Sequence, residues 1–329
     1  LDNDIMVSIL CTAYNHQNFI EDAMKGFIMQ KTDFKYEALV HDDASTDKTA
    51  EIIIEYSKKY PEIIKPIIQK ENQYSKGDRI YSTFLYPLAK GKYIAICEGD
   101  DLWTDEYKLQ KQIDFLREHP ECSMCYHAAS IHNVMADKEE GLIRPYRKTC
   151  IIPDKTLFFG GGDDVPTASI CFVKELALDV PQFALDSPVG DHPLVLLLSY
   201  RGRVGYIDEV MSVRNLWVPN SWNTDFNLKG NIEKRTMHLR AMIELLSKYN
   251  IYTNHKFEDQ IRKRVLAGEI EIRKLQGQDP FTGDKVRALL KTFNRLMRLK
   301  LWISCKLPAI SNLYSKIKKR VCDLSIKRI

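Results

Sequence analysis

Ala38-Leu-Val-His-Asp-Asp-Ala-Ser-Thr-Asp47 decides the fold, because an apolar run, an acidic turn and the opening of a helix follow one another without a break. The same order recurs in Tyr93-Ile-Ala-Ile-Cys-Glu-Gly-Asp-Asp101. Short runs of β-forming residues bounded by polar turns read as buried strands. The carboxyl ends of parallel strands are where open α/β sheets bind ligands. Adjacent carboxylates there repel unless a positive charge joins them, and a hard divalent ion carrying a diphosphate meets that need. One such turn alone reads equally well as a solvated helix cap. Two of them, each at a strand exit, make a site the better reading.

Working outward, strands are expected at 7–12, 36–40, 63–69, 93–97 and 123–131, with helices at 18–30, 47–60, 78–88 and 104–118 between them. Pro61 and Pro120 close two of those helices. This alternation predicts an α/β fold with a mainly parallel, doubly wound sheet. Residues 134–153 are polar and read as a loop. The glycine-rich 160–166 leads into a strand at 167–173, followed by a very apolar helix at 191–200 and strands at 203–207 and 210–214. Beyond about residue 224 the pattern is helical only, near 228–249, 257–275 and 285–301. The expected division is therefore a nucleotide-binding half at about 5–131, an acceptor half at 132–222, and a helical region at 223–329.

At 329 residues, 44% hydrophobic and 28% charged, the chain has an ordinary globular composition, with length for a substantial core. The formal net charge of +4 is unevenly distributed. Residues 285–329 hold thirteen Lys or Arg against one acid, Asp323, a net +12 that leaves the rest at −8. No stretch is long and apolar enough to span a bilayer, and no secretory signal is legible in a chain that opens at Leu1. Of the eight cysteines only Cys122 and Cys125 are close, without a second pair at zinc-site spacing. They read as structural thiols in a reduced, cytoplasmic compartment.

These residues resemble glycosyltransferase family 2, with the GT-A fold, over roughly residues 5–222. Val-Ser-Ile-Leu-Cys-Thr-Ala-Tyr-Asn15 looks like the opening strand and turn, and His-Asp-Asp-Ala-Ser-Thr-Asp47 like the second-strand motif. Glu-Gly-Asp-Asp101 looks like a variant of the Asp-x-Asp metal motif, and Val-Gly-Asp191 like the segment ending in the catalytic base. The resemblance implies a nucleotide-sugar donor, with UDP favoured. Thr12 and Tyr14 would line the base pocket, and Asp43 would accept from the base edge. Asp100 would lie near the ribose or the metal, and Asp101 would ligate Mn²⁺ or Mg²⁺. Asp191 would be the general base of a single, inverting displacement; the bland alternative is a helix cap. Asp163, Asp164, Thr167 and Ser169 are candidates for acceptor contacts.

One departure matters. Where many relatives carry Tyr-Arg-x-His, this chain has Val213-Arg-Asn-Leu216, which keeps Arg214 for a diphosphate oxygen but puts Leu where the imidazole stands. A catalytically degenerate scaffold is therefore one rival. A sugar-1-phosphate nucleotidyltransferase is another, weakened because the turn Thr12-Ala-Tyr-Asn-His-Gln-Asn18 has no Gly, Lys or Arg to cradle phosphates. The tail interleaves its cations with Phe293, Leu296, Met297, Leu299, Leu301, Trp302 and Ile303. That mixture points to an anionic membrane surface or a packing face, including one in a homo-oligomer, rather than to nucleic acid. A peripheral position at the inner face of the cell membrane, near a lipid-linked acceptor, is the expectation.

Overall fold

The computed structural model describes residues 4–153, 164–219, 221, 224, 226, 231–293, 295, 298, 299 and 302. The chain opens with β1 (Ile5–Ala13), α1 (Ile20–Ile28), β2 (Lys35–Asp42), α2 (Thr49–Lys59), β3 (Ile64–Ile68), β4 (Tyr93–Ile96), β5 (Leu102–Trp103) and α3 (Lys108–Glu118). Next come β6 (Cys122–Asn133), β7 (Lys138–Ile143), β8 (Cys150–Ile151), β9 (Cys171–Val173), α4 (Glu175–Leu178), α5 (Gln182–Leu185), α6 (Asp191–Arg201) and β10 (Arg203–Leu216). The later described residues include α7 (Ile232–Tyr252), α8 (Glu258–Leu275) and α9 (Asp284–Lys291).

The strands form one sheet in the order β3-β2-β1-β4-β9-β6-β10-β5. β1 pairs in parallel with β2 and β4, and β2 with β3. β9 then enters antiparallel between β4 and β6, while β6 and β10 are parallel. The sheet is thus parallel where the two acidic turns exit and mixed beyond. Alternate side chains of β1 feed opposite faces: Val7, Ile9 and Cys11 join one core layer, and Leu10 joins the other. Burial on both faces is why these strands read as continuous apolar runs.

Four expectations change. Residues 78–88 hold only one wide turn, Tyr81–Leu85, because Leu85 and Tyr86 sink into the core and Pro87 has no N–H to continue a helix. The polar 134–153 contains β7, a largely exposed hairpin partner of β6, and β8. It offers hydrogen bonds but little apolar pattern. Residues 167–173 are a 3₁₀ turn, Thr167–Ser169, followed by a three-residue strand. The two expected strands at 203–214 are one, bulged around Asp208 and Glu209.

The described residues divide into two compact units, one of residues up to 231 with 251–254, and one of 232–250 with the residues from 255 onward. In the second unit, Leu266 and Ile270 of α8 pack against Val286 of α9, with Phe281, Leu289, Leu290 and Phe293 around them. Among the described residues no helix is long and apolar enough to cross a membrane.

Candidate active site

Two loops at the carboxyl ends of β1 and β2 are interlocked. Asn15 N–H donates to Ser45 Oγ at 2.9 Å, His16 N–H to Thr49 Oγ1 at 2.8 Å, and Thr46 N–H to Asn15 Oδ1 at 2.8 Å. The polar residues after Asp43 are therefore fasteners between loops. Asn15 and Ala44 adopt left-handed conformations, φ 57° and 59°. Asn tolerates this, whereas Ala bears about 1–2 kcal/mol of strain that the interlock must offset. Tyr14, in the turn after β1, stays 42% exposed.

Asp43 is buried, and its two carboxylate oxygens accept the N–H groups of Gln73 (2.8 Å) and Tyr74 (3.0 Å). It therefore fastens the 72–77 turn, and each oxygen retains a second lone pair for a ligand donor. The acidic loop is fixed beside it. Gly99 N–H donates to Thr12 O at 2.9 Å. A Cβ on Gly99 would come within 3.0 Å of Ala13 Cβ, His16 Nδ1 and Ile20 Cδ1, so glycine lets the loop lie this close to β1.

The carboxylates then converge. Asp101 is buried, and its Oδ1 accepts Asn215 N–H at 2.8 Å, while Asn215 Nδ2 donates to Asp100 O at 2.6 Å. β5 makes this possible by pairing antiparallel with β10 and drawing the acidic loop against that strand. Burial, then the charge of Asp100, pushes the Asp101 carboxyl up to about 8, against the pull of Asn215 N–H and Arg214. Glu98 is raised well above the usual carboxylate range by burial and then by Asp100, Asp101 and Asp191, with Arg214 opposing. One electrostatic cluster thus gathers the exit of β4, the start of α6 and the end of β10. Sequence reading had not assigned Glu98 to the site, although it lies inside the quoted motif. Nor had it found Asn215, whose decisive group is a main-chain N–H with no sequence signature. His16 Nε2 lies 3.9 Å from Asp100 Oδ2.

Asp191 is the first residue of α6, and its Oδ1 accepts His192 N–H at 2.8 Å. One oxygen therefore serves the helix terminus, and the charge of Asp191 contributes to raising the Glu98 carboxyl. Of the acceptor candidates, Asp163 lies outside the described residues and Asp164 is exposed. Thr167 is buried at the start of its turn. Ser169 is a correction: it is 0% exposed and its hydroxyl donates to Pro166 O at 2.6 Å, so it closes the turn and cannot meet an acceptor. Leu216 ends β10, and Trp217 after it is left-handed at φ 62°.

The α/β sheet carries paired carboxylates at its strand exits, and Asp191 acts on the same cluster from the start of α6. Residues 8–174 match the family model described as glycosyl transferase family 2, about half the chain. The chain belongs to that family and is a glycosyltransferase. It is 28% identical over 296 residues to an uncharacterized protein of Mycobacterium tuberculosis, covering 86% of this chain and 78% of that one. It is 31% identical over 113 residues to the putative teichuronic acid biosynthesis glycosyltransferase TuaG of Bacillus subtilis, 34% of this chain and 42% of TuaG. Among solved structures it resembles Staphylococcus aureus TarS, residues 1–349 in complex with UDP-GlcNAc, with a TM-score of 0.54 at 15% identity over 87% of this chain and 84% of that one. That likeness establishes the GT-A-like fold with a helical C-terminal region.

Proposed function

We propose that the chain is an inverting glycosyltransferase that moves a sugar from a UDP-sugar to a hydroxyl of a saccharide or lipid-linked saccharide. The observation that carries this reading is the convergence of Glu98, Asp100, Asp101, Asp191 and Arg214 in one cluster. Tyr14 stacks on the base, the free lone pairs of Asp43 accept from its edge, and Thr12 lines the pocket. Arg214 takes a diphosphate oxygen. Asp191 accepts the proton of the acceptor hydroxyl as the new bond forms, on the face opposite the leaving diphosphate, which inverts the anomeric carbon. Such a base contributes roughly 10²–10⁴-fold.

The acidic residues fit a hard divalent ion. Asp101 and Asp100 offer oxygen ligands, and their mutual repulsion in a buried place is relieved by positive charge. Among the described residues no three His, Cys, Asp or Glu side chains form a ready metal cage. The protein's share is therefore one or two carboxylates, with phosphate and water completing the shell, as Mg²⁺ and Mn²⁺ accept. When bound, the ion would supply charge stabilisation to the departing diphosphate.

Leu216 favours a second reading, a transferase fold retained for binding, because it withholds an imidazole from the site. Incubation with UDP-glucose, UDP-GlcNAc and GDP-mannose, with Mn²⁺ or with EDTA, separates the two. Saturable, Mn²⁺-dependent release of UDP from one donor supports the enzyme. Tight UDP binding with no release from any donor supports the scaffold.

The tail belongs to the same proposal in reduced form. The apolar face of α9 packs on α8, which removes 284–293 from any membrane-binding face. Exposed Leu299 and Trp302, with the cations beyond them in sequence, are left to meet anionic lipid from the cytoplasmic side.

A further inference from the structure

Arg79 makes contacts that span distant parts of the chain. Its Nη2 donates to two main-chain oxygens, Leu185 O and Ser187 O, which lie 106 and 108 residues away in sequence. Both carbonyls belong to the approach to α6, the helix that begins with Asp191. Local bonds of that approach include Asp186 N–H to Gln182 O at 3.0 Å, Ser187 N–H to Ala184 O at 3.3 Å, and Val189 N–H to Ser187 Oγ at 3.3 Å. Ser187 is buried, so its carbonyl needs a protein donor, and Arg79 supplies it.

On its other side Arg79 follows the turn that Asp43 fastens. Gln73 and Tyr74 bind the Asp43 carboxylate, Gly77 N–H closes back on Tyr74 O at 3.0 Å with φ 90°, and Asp78 N–H donates to Gln73 O at 3.1 Å. A hydrogen-bonded path therefore runs from Asp43, through the 72–78 turn and the Arg79 fork, to the 185–187 carbonyls just before Asp191. A planar guanidinium can engage two carbonyls at once from one rigid head, which a lysine ammonium on its flexible stem does poorly.

We propose that Arg79 is a positioning residue that clasps the 185–190 loop to the Asp43 turn and thereby holds Asp191 where the acceptor hydroxyl loses its proton. The statement rests on Asp191 being the base, but the clasp itself is testable without that role. Hydrogen–deuterium exchange of the full chain without ligand, read on peptides spanning 185–192 and 72–77, is compared for wild type, Arg79→Lys and Arg79→Ala. Arg79→Ala should exchange at least about tenfold faster at 185–192 and stay unchanged at 72–77, with Arg79→Lys between. By calorimetry, UDP with Mn²⁺ should bind Arg79→Ala within about threefold of wild type. Release of UDP from the active donor should fall at least about tenfold, and Arg79→Ala with Asp191→Asn should be no slower than Asp191→Asn alone.

Unchanged exchange at 185–192 overturns the clasp. UDP affinity reduced about tenfold with unaltered exchange makes Arg79 a nucleotide contact instead and also overturns it. Losses that multiply in the double variant show that Arg79 does not act through Asp191. Should Arg79→Ala fail to fold, Arg79→Lys carries the same comparisons. Absence of any UDP binding by wild type contradicts the donor reading and leaves the exchange measurement to decide the clasp.

Discussion

At the scale of the residue, Asp101 concentrates the conflict that defines the site. Its folded carboxyl is held at about 8 by burial and by Asp100, against an ordinary 3.8. A group raised in the folded state contributes stability below its unfolded value and loses it as pH rises through the folded value. Near pH 8 and above, Asp101 is therefore a destabilising anion until a cation joins it. Asp101→Asn keeps an acceptor for Asn215 N–H and removes the charge. Differential scanning at pH 8 should show this variant melting about 3–6 °C above wild type without metal, and gaining nothing from Mn²⁺ with UDP, which should raise the wild-type midpoint. A variant that melts lower and still responds to Mn²⁺ with UDP would mean that the ion lies elsewhere. Asp43, Asp100 and Asp101 stood out in the sequence because each follows an apolar run, and Asp191 because it opens an apolar helix. The sharing of each carboxylate between a ligand role and a fastening role was not, since main-chain donors such as Gln73, Tyr74 and Asn215 leave no trace in side-chain pattern. Ser169 misled for the same reason: a hydroxyl in a turn looks available until its carbonyl partner is seen.

At the scale of the element, α3 explains how the acidic loop is braced from behind. Lys108, its first residue, is 0% exposed, its Nζ lying 3.7 Å from the Trp103 ring centroid and donating to Gln112 Oε1 at 2.7 Å. Gln112 Nε2 reaches Ser169 O and Trp103 Nε1 reaches Ala168 O, both at 2.8 Å, so α3 and β5 together hold the 167–169 turn. Burial lowers the Lys108 ammonium from 10.5 to about 8, with Cys171, Cys97, Cys125 and Asp105 opposing. The sign is the reverse of Asp101: the stability tied to Lys108 is present above its unfolded value and lost as pH falls through about 8. Denaturation of wild type and Lys108→Met across this range cancels the titration of the buried thiols, which both proteins share. The stability gap should move by ~3 kcal/mol in favour of wild type between pH 8 and 10.5. A gap that does not change with pH would contradict a buried, ionisable Lys108. Elements with two buried faces, β1, β2 and β4, were readable because their apolar runs are continuous. The Tyr81 turn, β7 and the antiparallel placement of β9 were not. Their form is set by Pro87, by hydrogen bonds to β6, and by a gap between β4 and β6 that only the assembled sheet contains.

At the scale of the whole molecule, the sequence divides into an acidic body and a basic end, net −8 and +12. The first turns of that end are packing surface, since Val286, Leu289, Leu290 and Phe293 meet α8. Periodicity alone could not separate a face that meets lipid from one that meets protein, because both need the same apolar stripe. The proposed attachment to anionic lipid is therefore assigned to the sequence beyond 293. Each Lys or Arg near an anionic surface is worth on the order of 1 kcal/mol, screened by salt. The full chain should sediment with phosphatidylserine-rich liposomes at low salt and be partly released at high salt. A chain ending at Phe293 should remain folded and stay in solution. A full chain that ignores the liposomes while the truncation dissociates a dimer would make the end an oligomerisation element.

The central claim is that Asp191 takes the proton in a displacement whose donor is held by the opposite side of the cleft. Turnover and UDP affinity of Asp191→Asn, measured side by side with wild type on the donor that proves active, test it most directly. The account predicts UDP binding within about threefold of wild type and turnover lower by about 10²-fold or more. Wild-type turnover in Asp191→Asn would contradict it and reduce Asp191 to the cap of α6.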